Sequence, residues 1–524
     1  MVKVLISDSL SPRAVEIFKQ RGVEVEQKTG LKPEDLSAII SQFDGLAIRS
    51  STKVTPAILS AASKLKVVGR AGIGVDNVDV PAATARGIVV MNTPYGNSIT
   101  TAEHALLFAL ARQIPAANAS THAGKWEKSK FMGVELTGKT LGVIGCGNVG
   151  SIVAERALGI KMKVIAYDPF LTKERAQELG VEKVELDDIF KRADFITLHT
   201  PLTDQTRNII DAKALAKCKK GVRIINCARG GLIVEADLKA ALESGQVAGA
   251  AIDVFAEEPA KQNILFNMEN VVCTPHLGAS TTEAQENVAL QIAEQMSDFL
   301  LTGAIVNALN MPSVSAEDAP KLKPYMKLAE QLGTLAGQIT QSGIKAVTIE
   351  YEGHAASLNT RPLTNVLLMG LLRPSLDSVN MVNAPLIAKE RGIKLSETRR
   401  QIEGDYHTLL RIKLETGEGH LSLAGTLFSG KPRIVGIDDV TLEAELTPRM
   451  LFLRNEDKPG FIGRLGTRLG EAKINIANFT LGRNAPGANA VCLVSLDSDI
   501  PAALLGEIKK LPGVVGVYRL KFAD

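Results

Sequence analysis

The chain has 524 residues, of which 45% are apolar, 22% charged and 4% aromatic, and 60 Lys and Arg nearly balance 57 Asp and Glu for a formal net charge of +3. One hydrophobic core stops growing near ~250–300 residues, which excludes a single-core protein and suits roughly three to four domains. The balanced charge and the lone Trp126 exclude a general nucleic-acid binder, and no uninterrupted apolar run approaches the ~18 residues of a membrane span.

In chain order, Val2–Ser7 reads as a strand, Ser11–Gly22 as a helix with a glycine stop, Val23–Val25 as a strand and Pro33–Gln42 as helical. Gly45–Ile48, Leu65–Val68 and Ile88–Met91 follow as strands, separated by the helices Thr55–Ala62 and Val80–Arg86. This alternation builds parallel βαβ units. Thr101–Gln113 reads as one helix leading out of the first sheet. The strand Lys139–Ile144 runs into a glycine loop, a helix to Leu158 and the strand Lys163–Tyr167. Further strands fall at Phe195–His199, Arg223–Asn226, Gly249–Asp253 and Val271–Thr274. After the helix Thr282–Leu300, residues 310–325 carry Pro and Ser and read as a linker.

From Ala346 the segments lengthen, as in Ala346–Tyr351 and His407–Leu414, an α+β pattern without a nameable motif. Arg449–Asp524 reads as self-contained. Its order is strand Met450–Leu453, helix Pro459–Glu471, strands Asn475–Leu481 and Ala490–Leu496, helix Pro501–Leu511 and strand Val514–Leu520. That βαββαβ order is ferredoxin-like. The expected architecture is two Rossmann/flavodoxin-like parallel-sheet domains, an α+β intervening domain and the ferredoxin-like unit. A substrate domain would be discontinuous, 1–97 and 282–308, with the helix after residue 282 returning to the first sheet. A nucleotide domain would span 98–281, the intervening domain 309–446 and the last unit 449–524.

Five cysteines, Cys146, Cys218, Cys227, Cys273 and Cys492, include no CxxC pair, so neither a disulfide framework nor a metal site is expected. The apolar N-terminal run ends after Ile6, short for a signal peptide, and the expected location is the cytoplasm.

Gly145-Cys-Gly147-Asn-Val-Gly150 satisfies G-x-G-x-x-G between a strand and a helix, and Asp168 closes the next strand. Glycines admit a pyrophosphate to the backbone, the helix N-terminus holds it, and the carboxylate takes the ribose hydroxyls. Asp168 would repel a 2′-phosphate, which favours NAD over NADP. Three ionisable residues end later strands of the same region: Arg229 in NCARGG, Glu258 in DVFAEEP and His276 in TPHLGAS. An imidazole that takes a hydroxyl proton, a carboxylate that supports it and a guanidinium that clamps a carboxylate suit hydride transfer at a hydroxy acid. Read as spacing alone, the same three residues also fit a turn cap, a solvated charge and an N-cap neighbour. Cys146 and Cys227 have no neighbouring base in sequence and read as packing residues. His104, His122, His199, His354, His407 and His420 read as structural or surface residues.

GCGNVG with Asp168, NCARGG, AAIDVFAEEP and TPHLGAST, together with IRSSTKVT, VGRAGIGVDNVD and NTPYGNS, resemble the D-isomer-specific 2-hydroxyacid dehydrogenases. With the extra C-terminal regions the chain is similar throughout to the long branch of that family. The resemblance implies NAD-dependent oxidation of 3-phosphoglycerate to 3-phosphohydroxypyruvate, the opening step of serine biosynthesis, by a homo-oligomer, dimer or tetramer. It places catalysis on Arg229, Glu258 and His276. Cofactor contacts fall on Gly145, Gly147, Asn148, Val149, Gly150, Asp168, Thr200, Cys227, Ala228, Arg229, Asp253, His276, Leu277, Gly278 and Ala279. Ile73 stands where some relatives carry Thr, so a contact there needs the backbone. Substrate cations and donors would be Arg49, Ser50, Lys53, Arg70, Asn97, Ser98 and Lys128. The segment RNEDKPGFIGRLGTRLGEAKINIANFTLGR resembles the small-molecule-binding ACT module, which implies L-serine as effector at Asn455, Asp457 and Asn475. A purely structural dimerisation module is the plainer alternative for it. A dehydrogenase of another D-2-hydroxy acid and an NAD-sensing corepressor on the same scaffold remain open, although the biosynthetic tail argues against the latter.

Overall fold

The computed structural model describes residues 2–105, 107–315, 317–340, 342–376, 378–401, 405–417 and 419–522. Leu106, within the expected helix Thr101–Gln113, and residues 523–524 of the last unit lie outside them.

Four sheets organise the chain. The first is parallel, with strands in the order Glu24–Gln27, Lys3–Ile6, Gly45–Ile48, Val67–Arg70, Val89–Met91. The long helix Thr282–Thr302 packs on it: Val288, Ile292 and Met296 share a core with Val4, Ile6, Val67 and Met91. The second sheet is parallel with seven strands. Their order is Val271–Cys273, Val247–Ile252, Val222–Asn226, Phe195–Leu198, Thr140–Ile144, Lys163–Tyr167, Glu182–Lys183. The order reverses beside Thr140–Ile144, the switch point where open α/β sheets bind ligands.

The third sheet is mixed. Lys394–Arg400 pairs in parallel with Ile344–Gly353, and Thr408–Thr416, His420–Phe428, Lys431–Ile437 and Val440–Ala444 follow antiparallel. The helices Ala319–Ile339 and Thr360–Leu372 bury Leu328, Leu332, Leu335, Leu363 and Leu367 against it. The last sheet is antiparallel in the order Ile476–Arg483, Asn489–Leu496, Arg449–Glu456, Val514–Lys521.

The last unit does not stand alone. Successive strand residues point to opposite faces. Leu451, Leu453, Cys492 and Val494 pack with its own helices, whereas Met450, Phe452, Val491 and Leu493 enter the core of the third sheet. Both faces are therefore covered.

The run expected as one helix, Thr101–Gln113, is divided between Ser98–Glu103 and Leu107–Ala111, and a separate helix, Ile114–His122, follows it. Pro115 has no N–H to bond back to Ala111, so Ile114–His122 does not continue Leu107–Ala111, and Gln113 turns with φ 51° between them. No described helix is long and apolar enough to cross a membrane. Among the described residues no group of three or more His, Cys, Asp or Glu is placed to hold a metal ion, and the five cysteines are unpaired.

Candidate active site

The buried strand Thr140–Ile144 delivers the glycine loop to the head of the helix Asn148–Gly159. Gly145 turns with φ 90°, and a Cβ on Gly150 would sit 2.0 Å from the Gly145 carbonyl oxygen, so loop and helix touch as backbones. Gly147 faces open space, which leaves its backbone approachable. The Asp168 carboxylate accepts the N–H groups of Cys146 and Phe170, each at 2.8 Å, and is thereby fixed beside the loop. Burial, with Asp168 adding, pushes the Cys146 thiol up to about 11, so it stays protonated.

Two strand ends across the switch point carry the reactive groups. After Val222–Asn226, the Asn226 side chain accepts from Ala228 N–H at 3.0 Å and donates to the Arg229 carbonyl at 2.9 Å, which shapes the loop. The Arg229 guanidinium donates to the Ala228 carbonyl at 2.7 Å and lies 3.2 Å from Asp76, on the loop after Val67–Arg70. After Val247–Ile252, Asp253 is fully buried. Its carboxylate accepts from Thr274 Oγ1 (2.6 Å), Leu277 N–H (2.7 Å) and Gly278 N–H (2.9 Å), so it folds the 274–278 loop. Burial works to raise its pKa, but the hydrogen bonds from His104, Thr274 and Leu277 hold it below the usual range.

His276 stands on that loop in the left-handed region, φ 55°, with its N–H on the Asp253 carbonyl at 2.9 Å. Its Nδ1 meets Glu258 Oε2 at 2.7 Å, and Glu258 Oε1 accepts Phe255 N–H at 3.0 Å. The hydrogen bond to Glu258 raises the His276 pKa, while burial pulls against it. Glu258 is kept below the ordinary carboxylate value: burial opposes this, and the bonds from His276 and Phe255 prevail. An ionised Glu258 accepts a hydrogen bond from Nδ1–H, which keeps that proton on Nδ1 and leaves Nε2 to exchange a proton with a ligand.

A cleft of about 310 Å³ lies between these loops and the first sheet. Asn148, Val149, Thr200, Cys227, Ala228, Arg229, His276, Gly278 and Ala279 line it from the second sheet, and Arg70, Ile73 and Asn97 from the first. Four of its polar atoms are buried without a partner: Arg70 Nε, Asn97 Oδ1, His199 Nδ1 and Thr200 Oγ1. Buried polar groups are seldom left so. Their concentration here, with an approachable glycine loop and a fixed Asp168, fits a dinucleotide. Burial, then Arg229 and Arg49, pushes the Arg70 guanidinium down to about 10.

The other expected residues lie elsewhere. Asp253 sits beneath the His276 loop rather than in the cleft wall, and Leu277 is 39% exposed. Arg49 lines a separate recess of about 390 Å³ with Ser280, Thr281 and Glu286. Ser50, Lys53 and Lys128 are exposed, and Ser98 is buried with its hydroxyl on the Pro94 carbonyl at 3.2 Å. Ile73 lines the cleft, and its carbonyl accepts from Asn92 Nδ2 at 2.6 Å.

Asn455, Asp457 and Asn475 do not converge within the chain. Asn455 is buried and accepts from Cys492, and Asp457 pairs with Arg483. Asn475 bonds Asp497 at 2.7 Å at the other end of the sheet. The register Asn455↔Ala490 and Ile476↔Leu496 separates the ends by roughly 20 Å at ~3.3 Å per residue.

Two histidines read as structural belong to the site. His199 lines the cleft, bonds Thr197 Oγ1 at 2.9 Å, and is pushed down to about 4 by burial, so it stays neutral. Its place after the strand Phe195–Leu198 was the available signal. His104 reaches Asp253 at 3.2 Å, a contact with no sequence signal.

A nucleotide loop at the switch point, facing a histidine–carboxylate pair and a guanidinium, defines a nicotinamide-dependent dehydrogenase. A family profile described as "D-isomer specific 2-hydroxyacid dehydrogenase, NAD binding domain" matches residues 104–278, and one described as "D-3-phosphoglycerate dehydrogenase intervening domain" matches 321–438. The D-3-phosphoglycerate dehydrogenase of Synechocystis sp. is 46% identical over 99% of this chain and 95% of its own length. That of Bacillus subtilis is 41% identical over 99% of both. Among solved structures, a glyoxylate reductase from Paecilomyes thermophila is 30% identical with a TM-score of 0.55, covering 59% of this chain and 98% of its own. D-2-hydroxyisocaproate dehydrogenase gives 29% and 0.53, covering 59% and 99%. The chain belongs to the D-3-phosphoglycerate dehydrogenases, within the D-isomer-specific 2-hydroxyacid dehydrogenase family. It is an NAD-dependent oxidoreductase.

Proposed function

We propose that the chain oxidises 3-phosphoglycerate to 3-phosphohydroxypyruvate, supplying serine biosynthesis. The observation that carries this is the 2.7 Å His276–Glu258 pair facing Arg229 across a nucleotide cleft. Arg229 clamps the substrate carboxylate in a fork. His276 Nε2 removes the hydroxyl proton, and Glu258 stabilises the resulting imidazolium. NAD, when bound, accepts the hydride. Gly145, Gly147, Asn148, Val149 and Gly150 would hold its pyrophosphate and Asp168 its ribose. Thr200, Cys227, Ala228, Gly278 and Ala279 would enclose the remainder, with Leu277 contributing backbone. Arg70, with the Arg49 charge acting on it, supplies positive charge for the phosphate, and Asn97 with the backbone N–H of Ser98 supplies donors for the carboxylate end.

A homo-oligomer is supported by the helix Ile114–His122, which has no buried residue, and by the exposed Ile114, Trp126 and Met132 in and after it, together with the exposed Tyr95 and Ile99. L-Serine is the proposed effector. Because Asn455 and Asp457 lie far from Asn475 in one chain, a single zwitterion would bridge them only between two copies. Five unpaired thiols favour a reducing cytoplasm. The test is NADH formation from 3-phosphoglycerate and NAD, with and without serine. Turnover of an unphosphorylated hydroxy acid with none of 3-phosphoglycerate refutes the substrate, and unchanged turnover at saturating serine refutes the effector.

A further inference from the structure

His104 follows the short helix Ser98–Glu103, whose cap, Asn97, lines the cleft. Its ring Nε2 lies 3.2 Å from Asp253 Oδ1 and 3.3 Å from Thr274 Oγ1. Its carbonyl accepts the Cys227 thiol at 3.6 Å. One residue thus touches both the loop that carries Arg229 and the loop that carries His276.

The contact to Asp253 differs in kind from the others. Thr274, Leu277 and Gly278 donate to that carboxylate from the loop it folds. His104 reaches it from a different element, and so relates the loop to the rest of the site. His276 needs such definition. Its left-handed backbone is disfavoured for a residue with a side chain, and its N–H rests on the Asp253 carbonyl.

We infer that His104 is a positioning residue that fixes His276 relative to Arg229 through Asp253 and Cys227. The inference rests on the roles proposed above for His276 and Arg229. His104 exchanges no proton with substrate. It holds in register two groups that must meet one small molecule, and a displacement near 1 Å there can cost ~10²-fold in rate. His104→Leu keeps bulk without a donor, and His104→Gln restores a donor near the Nε2 position.

The experiment compares His104→Leu, His104→Gln and His276→Ala in the full chain. It measures kcat, KM for NAD, the melting temperature and the primary isotope effect with 3-phosphoglycerate deuterated at C2. His104→Leu is expected to lower kcat about 10- to 100-fold, to leave KM for NAD within about twofold, and to raise the isotope effect as hydride transfer becomes limiting. His104→Gln is expected to recover most of the loss. Wild-type kcat and isotope effect in His104→Leu, whatever its melting temperature, reduce the residue to packing. Equal losses in the Leu and Gln variants also overturn the inference, because shape rather than the donor would then matter. If His104→Leu does not fold, His104→Asn, whose amide falls short of Asp253, takes its place in the comparison. A His276→Ala enzyme that keeps its kcat removes the proposed role of His276. A collapse there beside a normal His104→Leu removes only the positioning role.

Discussion

Replacing Glu258 by Gln keeps an acceptor for His276 Nδ1 and removes the charge. The pair is 2.7 Å apart, and its side chains are 49% and 35% exposed. A hydrogen bond to a charged group contributes ~1.5–3 kcal/mol when sheltered, and partial exposure screens this to ~1 kcal/mol. If that amount supports the imidazolium as it forms, its loss slows the chemical step about fivefold. The sign on pH follows from the direction of the shift. Glu258 raises the His276 pKa. Oxidation needs neutral His276, so its rate climbs as pH rises through that elevated value. Glu258→Gln lowers the value, and the acid limb of kcat/KM moves to lower pH. In the reverse reduction the imidazolium is the acid, so the alkaline limb also moves to lower pH. Profiles with 3-phosphoglycerate and NAD, and with 3-phosphohydroxypyruvate and NADH, check both. An unmoved limb in either direction, or a move to higher pH, refutes the role of Glu258.

His276→Ala should lower kcat by on the order of 10²–10⁴-fold, the usual weight of positioned proton transfer, with NAD affinity by calorimetry changed little. Asp168→Ala should weaken NAD and narrow its preference over NADP, read as the ratio of kcat/KM values, because the carboxylate's repulsion of a 2′-phosphate goes with it. Gly150→Ala places a Cβ 2.0 Å from the Gly145 carbonyl and should raise KM for NAD at least about tenfold; wild-type KM would mean the loop yields freely. Asp457→Ala should abolish the heat of serine binding while uninhibited turnover persists, and unchanged serine titrations would remove Asp457 from the effector site.

The parts of this site legible in sequence are those that chain order alone arranges. Strand, glycine loop, helix and the acid at Asp168 are consecutive, and Arg229 and His276 each follow a strand on the same sheet. What sequence does not carry is the contact across distance. His104 meets Asp253 149 positions away, and neither residue's neighbours announce it. The family resemblance puts Asp253 among the cofactor contacts, yet four donors draw it beneath the loop. The helix expected over Thr101–Gln113 has a helical apolar pattern, yet Ser98–Glu103 ends at a His104 cap inside it, and Pro115, just beyond it, opens a separate helix. The last unit reads as independent because strand alternation cannot show whether the second buried face meets its own helices or a neighbouring sheet.

That second face bears on how the halves of the chain are joined. The last sheet enters the core of the third through Met450, Phe452, Val491 and Leu493. The third region in turn reaches the first sheet through residues 380–383. Asn380 and Asn383 donate to the carbonyls of Gly87 (3.4 Å) and Ala85 (3.2 Å), and Val382, 5% exposed, joins the core of Val4, Ile292 and Met296. Those carbonyls lie within four residues of the strand Val89–Met91, which leads to Asn97 at the cleft. Energetic coupling between distant sites needs such an unbroken chain of packed contacts. Val382→Ala removes two buried methyl groups from the junction and should cost on the order of 2 kcal/mol locally. Amide exchange at Val89, Val90 and Met91 should then quicken, while amides of the strand Thr140–Ile144 keep their protection. Equal exchange at Val89–Met91 in variant and wild type would show that this contact carries no load between the two halves.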